Sequence, residues 1–333
     1  MTRFAQATLA AKEGNAAKVA VVRCREIMPD DRERIIDLLA RGFGQAPREH
    51  WSRVLSVLAA HHTPEGYPKY GYLLENDGVA VGVLLMIFTA RVDNGVTQVQ
   101  CCESSYYVDP PFRFYAPLLV KSSHRFNQVT YLNVSAARHT WTVLDTQGYK
   151  RIAGSVYCAV PVLCPVDIGQ RVRRVGVTFS DQRLDCAENR LLRQHAGYKC
   201  CISVICERDG VIFPFVFVLR RKYGIGFAFL IYCHSQADIV TFAGALGRFL
   251  ARRLVLLVII DASESIAGVP GMLLAKYPKY WKGEKAPRVG DLAYTELAMF
   301  QSGRSSSVVT CLLRLAPRSL RRLVLDRKWW LWR

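Results

Sequence analysis

The 333-residue chain lacks the long apolar run that a membrane-spanning helix needs. Its longest apolar stretches, Val211 to Leu219 and Leu254 to Ile260, fall well short of the roughly 18 residues that cross a bilayer. Residues 1–18 are rich in alanine and polar side chains and lack the apolar core of a secretory signal peptide. We therefore expect a cytoplasmic protein.

The chain also lacks a CxxC motif, although it contains 11 cysteines. That number is odd, and the adjacent pairs Cys101-Cys102 and Cys200-Cys201 fall in segments with strand-like patterns. These features favour buried, reduced thiols over a framework of disulfides. Zinc is a weaker alternative, because Cys233-His234 and His195 lack the spacing of metal ligands, and we expect no metal site.

Acidic residues are scarce, with 27 Asp and Glu against 45 Lys and Arg, which gives a net charge of +18. Residues 301–333 contribute +7 of this charge, from eight basic residues and one acidic residue, and contain three tryptophans. Such a tail is typical of a poorly ordered segment outside the two repeats, and the alternatives are contact with anionic lipid headgroups or with nucleic-acid phosphate. The rest of the chain has only a mild excess, so we do not expect nucleic acid as the main partner.

The order of predicted elements indicates an internal repeat. Strand, helix, hairpin, strand, helix, strand, helix and strand follow one another twice along the chain. Hairpins give antiparallel strand pairs, and strand–helix–strand units give parallel ones. We predict an α/β (α+β) fold with mixed, mostly antiparallel sheets flanked by helices. It comprises two tandem domains, 19–160 and 171–300, between a flexible leader, 1–18, and the basic tail, 301–333.

Five further elements are predicted from local patterns. A single strand is predicted over Tyr149 to Ala159 and another over Val175 to Phe179. A short helix is predicted over Met272 to Tyr277, and a final strand over Leu292 to Phe300. The helix that follows the third strand of the first domain is expected to cover about Phe114 to Arg125.

The most informative segment runs from Tyr106 to Leu119, with the sequence YYVDPPFRFYAPLL. A strand ends at Val108, Arg113 follows within a short loop, and a helix starts at once. Free backbone N–H groups at a helix N-terminus beside a cation form a ready site for a pyrophosphate.

This segment resembles the GCN5-related N-acetyltransferase superfamily, whose members use acyl-CoA. The pattern of the family is a strand, then Arg or Gln, two residues, Gly, one residue, and Gly or Ala at a helix start. Arg113 matches the leading position, whereas Ala116 and Leu118 stand at the two small positions. The resemblance covers about residues 19–155 in the order of elements, and Gly148-Tyr149 stands where the family has a Gly-Phe pair.

The resemblance implies that acyl-CoA, with acetyl-CoA as the first candidate, is a co-substrate and not a permanently bound cofactor. Pantetheine would lie along the splayed end of the strand from Tyr106 to Val108, where Tyr107 and Val108 are the contact residues, and the strand amides would hold it and polarise the thioester carbonyl. The loop residues that would meet the pyrophosphate are Arg113, Phe114, Tyr115 and Ala116.

Acyl transfer to an amine requires a polarised thioester, a deprotonated amine and a proton for the departing thiolate. Glu103 and His139 are the candidate bases. The family often places a tyrosine acid where this chain has Leu144, so the acid is either absent or supplied by another residue such as Tyr106, Tyr107 or Tyr115. We take Glu103, Tyr107 and His139 as candidate catalytic residues; an exposed strand carboxylate, a packed histidine and a solvated Arg113 are the structural alternatives.

The sequence therefore favours an acyltransferase that moves an acyl group from acyl-CoA to an amine by direct attack in the first domain. The second domain is expected to be a degenerate copy without acyl-CoA, because its loop Cys233 to Asp238 has no glycine and adds an anion. The alternatives are a non-catalytic acyl-CoA-binding or scaffold protein of the same fold, and a charge-driven membrane or nucleic-acid binder. The amine acceptor and the oligomeric state stay open.

Overall fold

The computed structural model describes residues 21–93, 96–222, 225–275 and 278–300. The predicted leader and the predicted basic tail lie outside these residues. The described strands are β1 Val22–Glu26, β2 Gly71–Asn76, β3 Val79–Asp93, β4 Val96–Val108, β5 Val129–Asn133, β6 Lys150–Arg151, β7 Ser155–Ala159, β8 Arg171–Arg174, β9 Cys201–Arg208, β10 Val211–Lys222, β11 Ile225–Tyr232, β12 Val255–Ala262, β13 Gly271–Ala275 and β14 Tyr280–Lys282. The described α-helices are α1 Arg32–Gly42, α2 Arg48–Ala60, α3 Ala116–Ser123, α4 Trp141–Thr146, α5 Cys186–Gly197, α6 Gln236–Ala251 and α7 Glu296–Met299.

These strands form two seven-stranded sheets, ordered β1-β2-β3-β4-β5-β14-β6 and β13-β7-β12-β11-β10-β9-β8. The pairs β4–β5 and β11–β12 are parallel, and the other paired strands in the described residues are antiparallel. The predicted α/β (α+β) class with mixed, mostly antiparallel sheets is confirmed.

The two predicted hairpins form because their turn residues tolerate a left-handed backbone. Asp77 and Gly78 between β2 and β3 have φ of 47° and 80°, and Asp209 and Gly210 between β9 and β10 have φ of 52° and 78°. Two-residue hairpin turns with positive φ match the twist of the strands they join. These local signals therefore place both hairpins correctly.

One strand crosses from each half of the chain into the sheet of the other half. β7 pairs with β12 and β13, although it follows the elements of the first sheet. β14 inserts between β5 and β6. The single strand predicted over Tyr149 to Ala159 is therefore wrong. Because β14 occupies the edge of β5, the chain leaves the first sheet after Arg151 and re-enters pairing at Ser155 in the second.

Three further predicted elements in the second half are wrong. The strand near Val175 lies earlier, at β8, and Val175 itself follows it with an N–H bond to the Ser203 carbonyl. Met272 and its neighbours form β13 along the edge of β7 and not a helix. The final strand predicted from Leu292 is replaced by a turn and α7. Short apolar runs fit either period, so the available strand edge decides their conformation.

The two halves share one of the three apolar clusters of the described residues. A cluster of buried side chains extends from α1 and α2, with Leu39 and Leu55, to α5 and the second sheet, with Leu192 and Ile205. At the rim of this junction Arg91 of β3 forms an ion pair with Asp291. In the described residues, no helix combines the length and apolarity needed to cross a membrane.

Candidate functional site

The candidate site lies where β4 separates from β5. The parallel ladder between these strands ends at the pair Cys102 and Leu132, whereas β3 stays paired with β4 as far as Val108. Residues 103–108 of β4 therefore extend beyond the ladder, and no strand of the described chain pairs with them on the β5 side. An extended molecule with amide groups can bond to such an edge as a strand would.

β4 is irregular within this unpaired stretch. Its register with β3 shifts between the pair Val83–Tyr107 and the pair Leu85–Ser104, and Ser105 has φ of 53°. A non-glycine residue in this region marks a β-bulge, which re-aims the residues after it. Tyr106 is consequently 42% exposed, although it lies inside a strand. The alternation of the sequence predicts a continuous strand here and does not reveal the bulge.

The segment after β4 differs from the predicted helix start. Pro110 to Tyr115 form a 3₁₀ helix, and α3 begins only at Ala116. The predicted α-helical start at Phe114 is therefore wrong, and two adjacent prolines at the beginning of the turn account for its separate conformation. The Ala116 N–H donates to the Arg113 carbonyl, so this predicted pyrophosphate donor already has a backbone acceptor.

The side chains of this segment remain available to a ligand. Arg113, Phe114 and Tyr115 are exposed, Phe114 to 96%. The neighbouring acid Asp109 is held by Arg41 at 2.8 Å. Among the described residues no carboxylate lies within ion-pair distance of Arg113. The Arg113 guanidinium is therefore an exposed cation in the segment after β4, close in sequence to the gap between β4 and β5 (the cleft), and it can take an anionic group.

Glu103 lies at the start of the unpaired stretch and is buried. Its carboxylate accepts hydrogen bonds from the Tyr149 hydroxyl, from His124 Nε2 at 3.0 Å and from Ser123 Oγ at 3.4 Å. The alternative interpretation of Glu103 as an exposed strand carboxylate is wrong. Burial and the Glu103 carboxylate raise the pKa of Tyr149, so its hydroxyl keeps its proton.

The structure does not bring the three candidate catalytic residues together. Glu103 faces α3, whereas the Tyr107 ring packs over Gly42 of α1 and its hydroxyl donates to Asp109 Oδ1 at 3.0 Å. Burial and the Asp109 carboxylate raise the pKa of Tyr107. His139 is exposed in the 3₁₀ turn Arg138–Thr140. No hydrogen bond in the described residues joins any two of the three.

Sequence reasoning missed the partners of Glu103. His124 lies at the C-terminal end of α3, and Tyr149 follows α4. Both side chains therefore reach the Glu103 carboxylate from elements that come after β4 in the sequence. A partial signal for Tyr149 was present in the sequence, because Gly148-Tyr149 stands where the family that the chain resembles has a Gly-Phe pair. Nothing local indicates that His124 meets Glu103 across a separation of 21 residues.

A second carboxylate lies on the other face of β4. Glu296 of α7 is buried and accepts a hydrogen bond from Ser104 Oγ, which is 3.2 Å from Ser105 Oγ. Adjacent strand residues point to opposite faces of the sheet. The Glu103 side chain therefore contacts α3, and the Ser104 side chain contacts α7 on the other face. The two partners are 192 residues apart, which explains why no sequence pattern links them.

The second half contains an equivalent parallel pair, β11 and β12, whose ladder ends at Phe229 and Ile259. There the chain itself fills the gap beyond the ladder. The Leu292 N–H donates to the Ile231 carbonyl at 3.0 Å, and Asp291 bridges Tyr232. β10 pairs with one edge of β11, so residues 289–293 lie along its other edge. The equivalent edge of β4 stays unpaired.

Gly290 is what allows this close approach. Its φ is +84°, and a Cβ at this position would lie 2.6 Å from the Cys233 nitrogen and 2.7 Å from its sulfur. A larger residue would meet backbone that cannot move aside cheaply. Of the two equivalent clefts, only the one beside β4 has an unpaired strand edge within the described residues.

Comparison with solved structures identifies the fold. A GCN5-related N-acetyltransferase from Anabaena variabilis is 9% identical and aligns over 79% of this chain and 72% of its own, with a TM-score of 0.54. One from Kribbella flavida is 14% identical over 82% of this chain and 74% of its own, with a TM-score of 0.53. No family model and no curated protein match the sequence. The fold is that of the GCN5-related N-acetyltransferases, in two successive copies.

Proposed function

We propose that this protein is an acyl-CoA-dependent acyltransferase that moves an acyl group, acetyl in the simplest case, to an amine in its first domain. The unpaired edge of β4 from Glu103 to Val108 is the observation that carries the proposal. It offers backbone donors and acceptors to an extended amide-containing chain, and pantetheine is such a chain. Arg113 at the end of the cleft suits the phosphates of CoA.

The edge of β4 also suits the chemistry. The N–H groups near the bulge at Ser105 can donate to the thioester carbonyl and stabilise the negative charge that develops on it. The amine then attacks the carbonyl carbon directly, and the carbon–sulfur bond breaks to release CoA. No covalent enzyme intermediate is needed in this scheme.

The surroundings of each candidate residue indicate which proton transfer it can perform. His139 is exposed, so its imidazole is accessible to an incoming amine as the candidate base. The oxygens of Glu103 are occupied by Tyr149, His124 and Ser123, so Glu103 exchanges a proton only through them. Tyr107 keeps its proton because its pKa is raised, and as the acid it would exchange its hydrogen bond to Asp109 Oδ1 for one to the departing thiolate.

One pair of observations favours a second candidate, a non-catalytic acyl-CoA-binding protein. Leu144 is buried at the position where the family often places its acid, and the Ala116 amide already has a backbone partner. Binding would then occur without transfer. This alternative rests on the incomplete set of catalytic residues. Both candidate functions use the same cleft.

Two assays on the full chain test the proposal. Thermal denaturation with acetyl-CoA and longer acyl-CoAs should show stabilisation, and none at millimolar ligand would rule out an acyl-CoA site. Release of free CoA thiol over a panel of amines then separates the candidates. Amine-dependent release supports the acyltransferase, and binding without release supports the binding protein.

A further inference from the structure

Two neighbouring thiols meet at the start of β9. Side chains of adjacent residues in a regular strand point to opposite faces, which would separate Cys200 from Cys201. Here Cys200 precedes the strand in a turn, in which the Cys201 N–H donates to the Tyr198 carbonyl at 2.9 Å. As a result the two sulfur atoms lie 3.7 Å apart.

The surroundings of this pair differ from those of the other described cysteines. Cys200 is half-buried, and the Cys201 thiol and the Arg220 guanidinium of β10 lower the pKa of Cys200. Burial instead raises the pKa of Cys101 and Cys102 well above the ordinary value. A partly accessible thiol beside a cation has the thiolate character that oxidants select.

We propose that Cys200 and Cys201 form a reversible redox site that hydrogen peroxide converts into a disulfide between adjacent residues. The Cys200 sulfur attacks one peroxide oxygen, the O–O bond breaks, and the thiol proton leaves with the departing oxygen as water. Cys200 is then a sulfenic acid. The Cys201 sulfur displaces its hydroxyl group, which takes the Cys201 proton and leaves as a second water. Two thiols are oxidised and one peroxide is reduced.

The spacing of the backbone makes this disulfide easy to reduce. Consecutive Cα atoms across a trans peptide are about 3.8 Å apart, below the roughly 4.4–6.8 Å that unstrained disulfides span. Strained disulfides have more oxidising potentials and are the labile ones. The oxidised form therefore returns to the dithiol with a mild thiol reductant.

Oxidation also alters how α7 is held. The Cys200 sulfur donates to the Ala298 carbonyl at 3.4 Å, and Arg220 donates to the Leu297 carbonyl at 2.9 Å. A disulfide has no S–H to donate, so the first of these contacts is lost. α7 carries Glu296, which bonds to Ser104 of β4, so a local change at the thiols reaches an element that contacts the cleft.

The test treats the full chain with one equivalent of hydrogen peroxide, blocks remaining thiols by alkylation and analyses the peptides by mass spectrometry. We expect the peptide with Cys200 and Cys201 to be lighter by two hydrogen atoms and to regain them with dithiothreitol. Cys186, exposed on α5, should stay reduced and is the internal control. The Cys201→Ser variant should stop at the sulfenic acid, which dimedone traps on Cys200.

Several results would overturn the proposal. They are alkylation of both thiols after peroxide treatment, oxidation of Cys186 before Cys200, and addition of oxygen to Cys200 in the wild-type chain without loss of hydrogen. Arg220→Gln tests the role of the cation and should slow the reaction about tenfold. Because this variant also loses the bond to Leu297, its circular dichroism is compared with that of the wild type, and Cys201→Ser gives an independent readout.

Discussion

The polar side chains of the cleft differ in whether they already have partners. Glu103 has three donors, Asp109 has Arg41, and Arg113 has no carboxylate partner within the described residues. The sequence singled out Arg113 and Glu103 from their positions on the strand and loop. It could not distinguish the engaged carboxylate from the available cation, because the partners come from distant elements.

Replacing Arg113 should weaken acyl-CoA binding without changing stability. The exposed guanidinium contributes to the fold through no ion pair in the described residues, whereas a charge-assisted bond to phosphate is worth about 1.5 kcal/mol or more. We expect Arg113→Ala to raise the Kd for acetyl-CoA about tenfold in isothermal titration calorimetry. The matched control is Arg248→Ala, because Arg248 is an exposed arginine on α6. Equal Kd values for the two variants would show that the phosphates bind elsewhere.

Removing the Tyr149 hydroxyl should destabilise the fold. Tyr149→Phe takes a donor from the buried Glu103 carboxylate, and leaving such a group short of a donor costs about 1–3 kcal/mol. The free energy of unfolding in urea measures this loss. Tyr67→Phe is the control, because the Tyr67 hydroxyl only accepts a bond from exposed Gln128. A similar small loss in both variants would mean that the Glu103 network contributes little to stability.

Elements that depend on neighbouring residues were predicted well, and those that depend on distant strands were not. The hairpin turns at Asp77-Gly78 and Asp209-Gly210 carry their own backbone requirement. β7 and β13 form because a strand edge is available to them, and that edge belongs to the second sheet. The same reason explains why the sequence predicts two matching units and misses the exchange of β7 and β14.

The segment 289–293 gives a prediction at the level of an element. Gly290 and Gly66 both have φ of +84°, but a Cβ at Gly66 meets nothing within 4 Å, whereas one at Gly290 meets the Cys233 backbone. Both alanine variants carry the cost of a left-handed backbone, and Gly290→Ala also carries a clash of about 1–3 kcal/mol. We therefore expect the Gly290 variant to unfold at lower urea concentration. Equal midpoints would contradict the close packing of this segment on β11.

At the scale of the whole molecule, the exchanged strands and the shared core join the two halves. β14 completes the first sheet and β7 the second, and buried side chains continue from α1 to α5. The cleft is built from both halves as well, since Glu296 reaches Ser104 of β4. Contacts between residues so far apart in the chain are fixed by tertiary packing and leave no periodic trace in the sequence.

This joining predicts that both halves unfold together. Neither sheet keeps all its strands when the other is lost, so differential scanning calorimetry should show one transition with equal calorimetric and van't Hoff enthalpies. Two different probes of unfolding should also report the same transition. Two resolved transitions, one for each half, would contradict the structural role given to β7 and β14.

The proposed function places a single acyl-CoA site on the unpaired edge of β4. Hydrogen–deuterium exchange of the full chain with and without acetyl-CoA tests it most directly, because amides that bond to the ligand exchange more slowly. We predict protection in residues 103–116 and none in residues 230–236, where the chain already fills the equivalent edge. Protection at 230–236 without protection at 103–116, or no protection in either segment at saturating acetyl-CoA, would contradict the account.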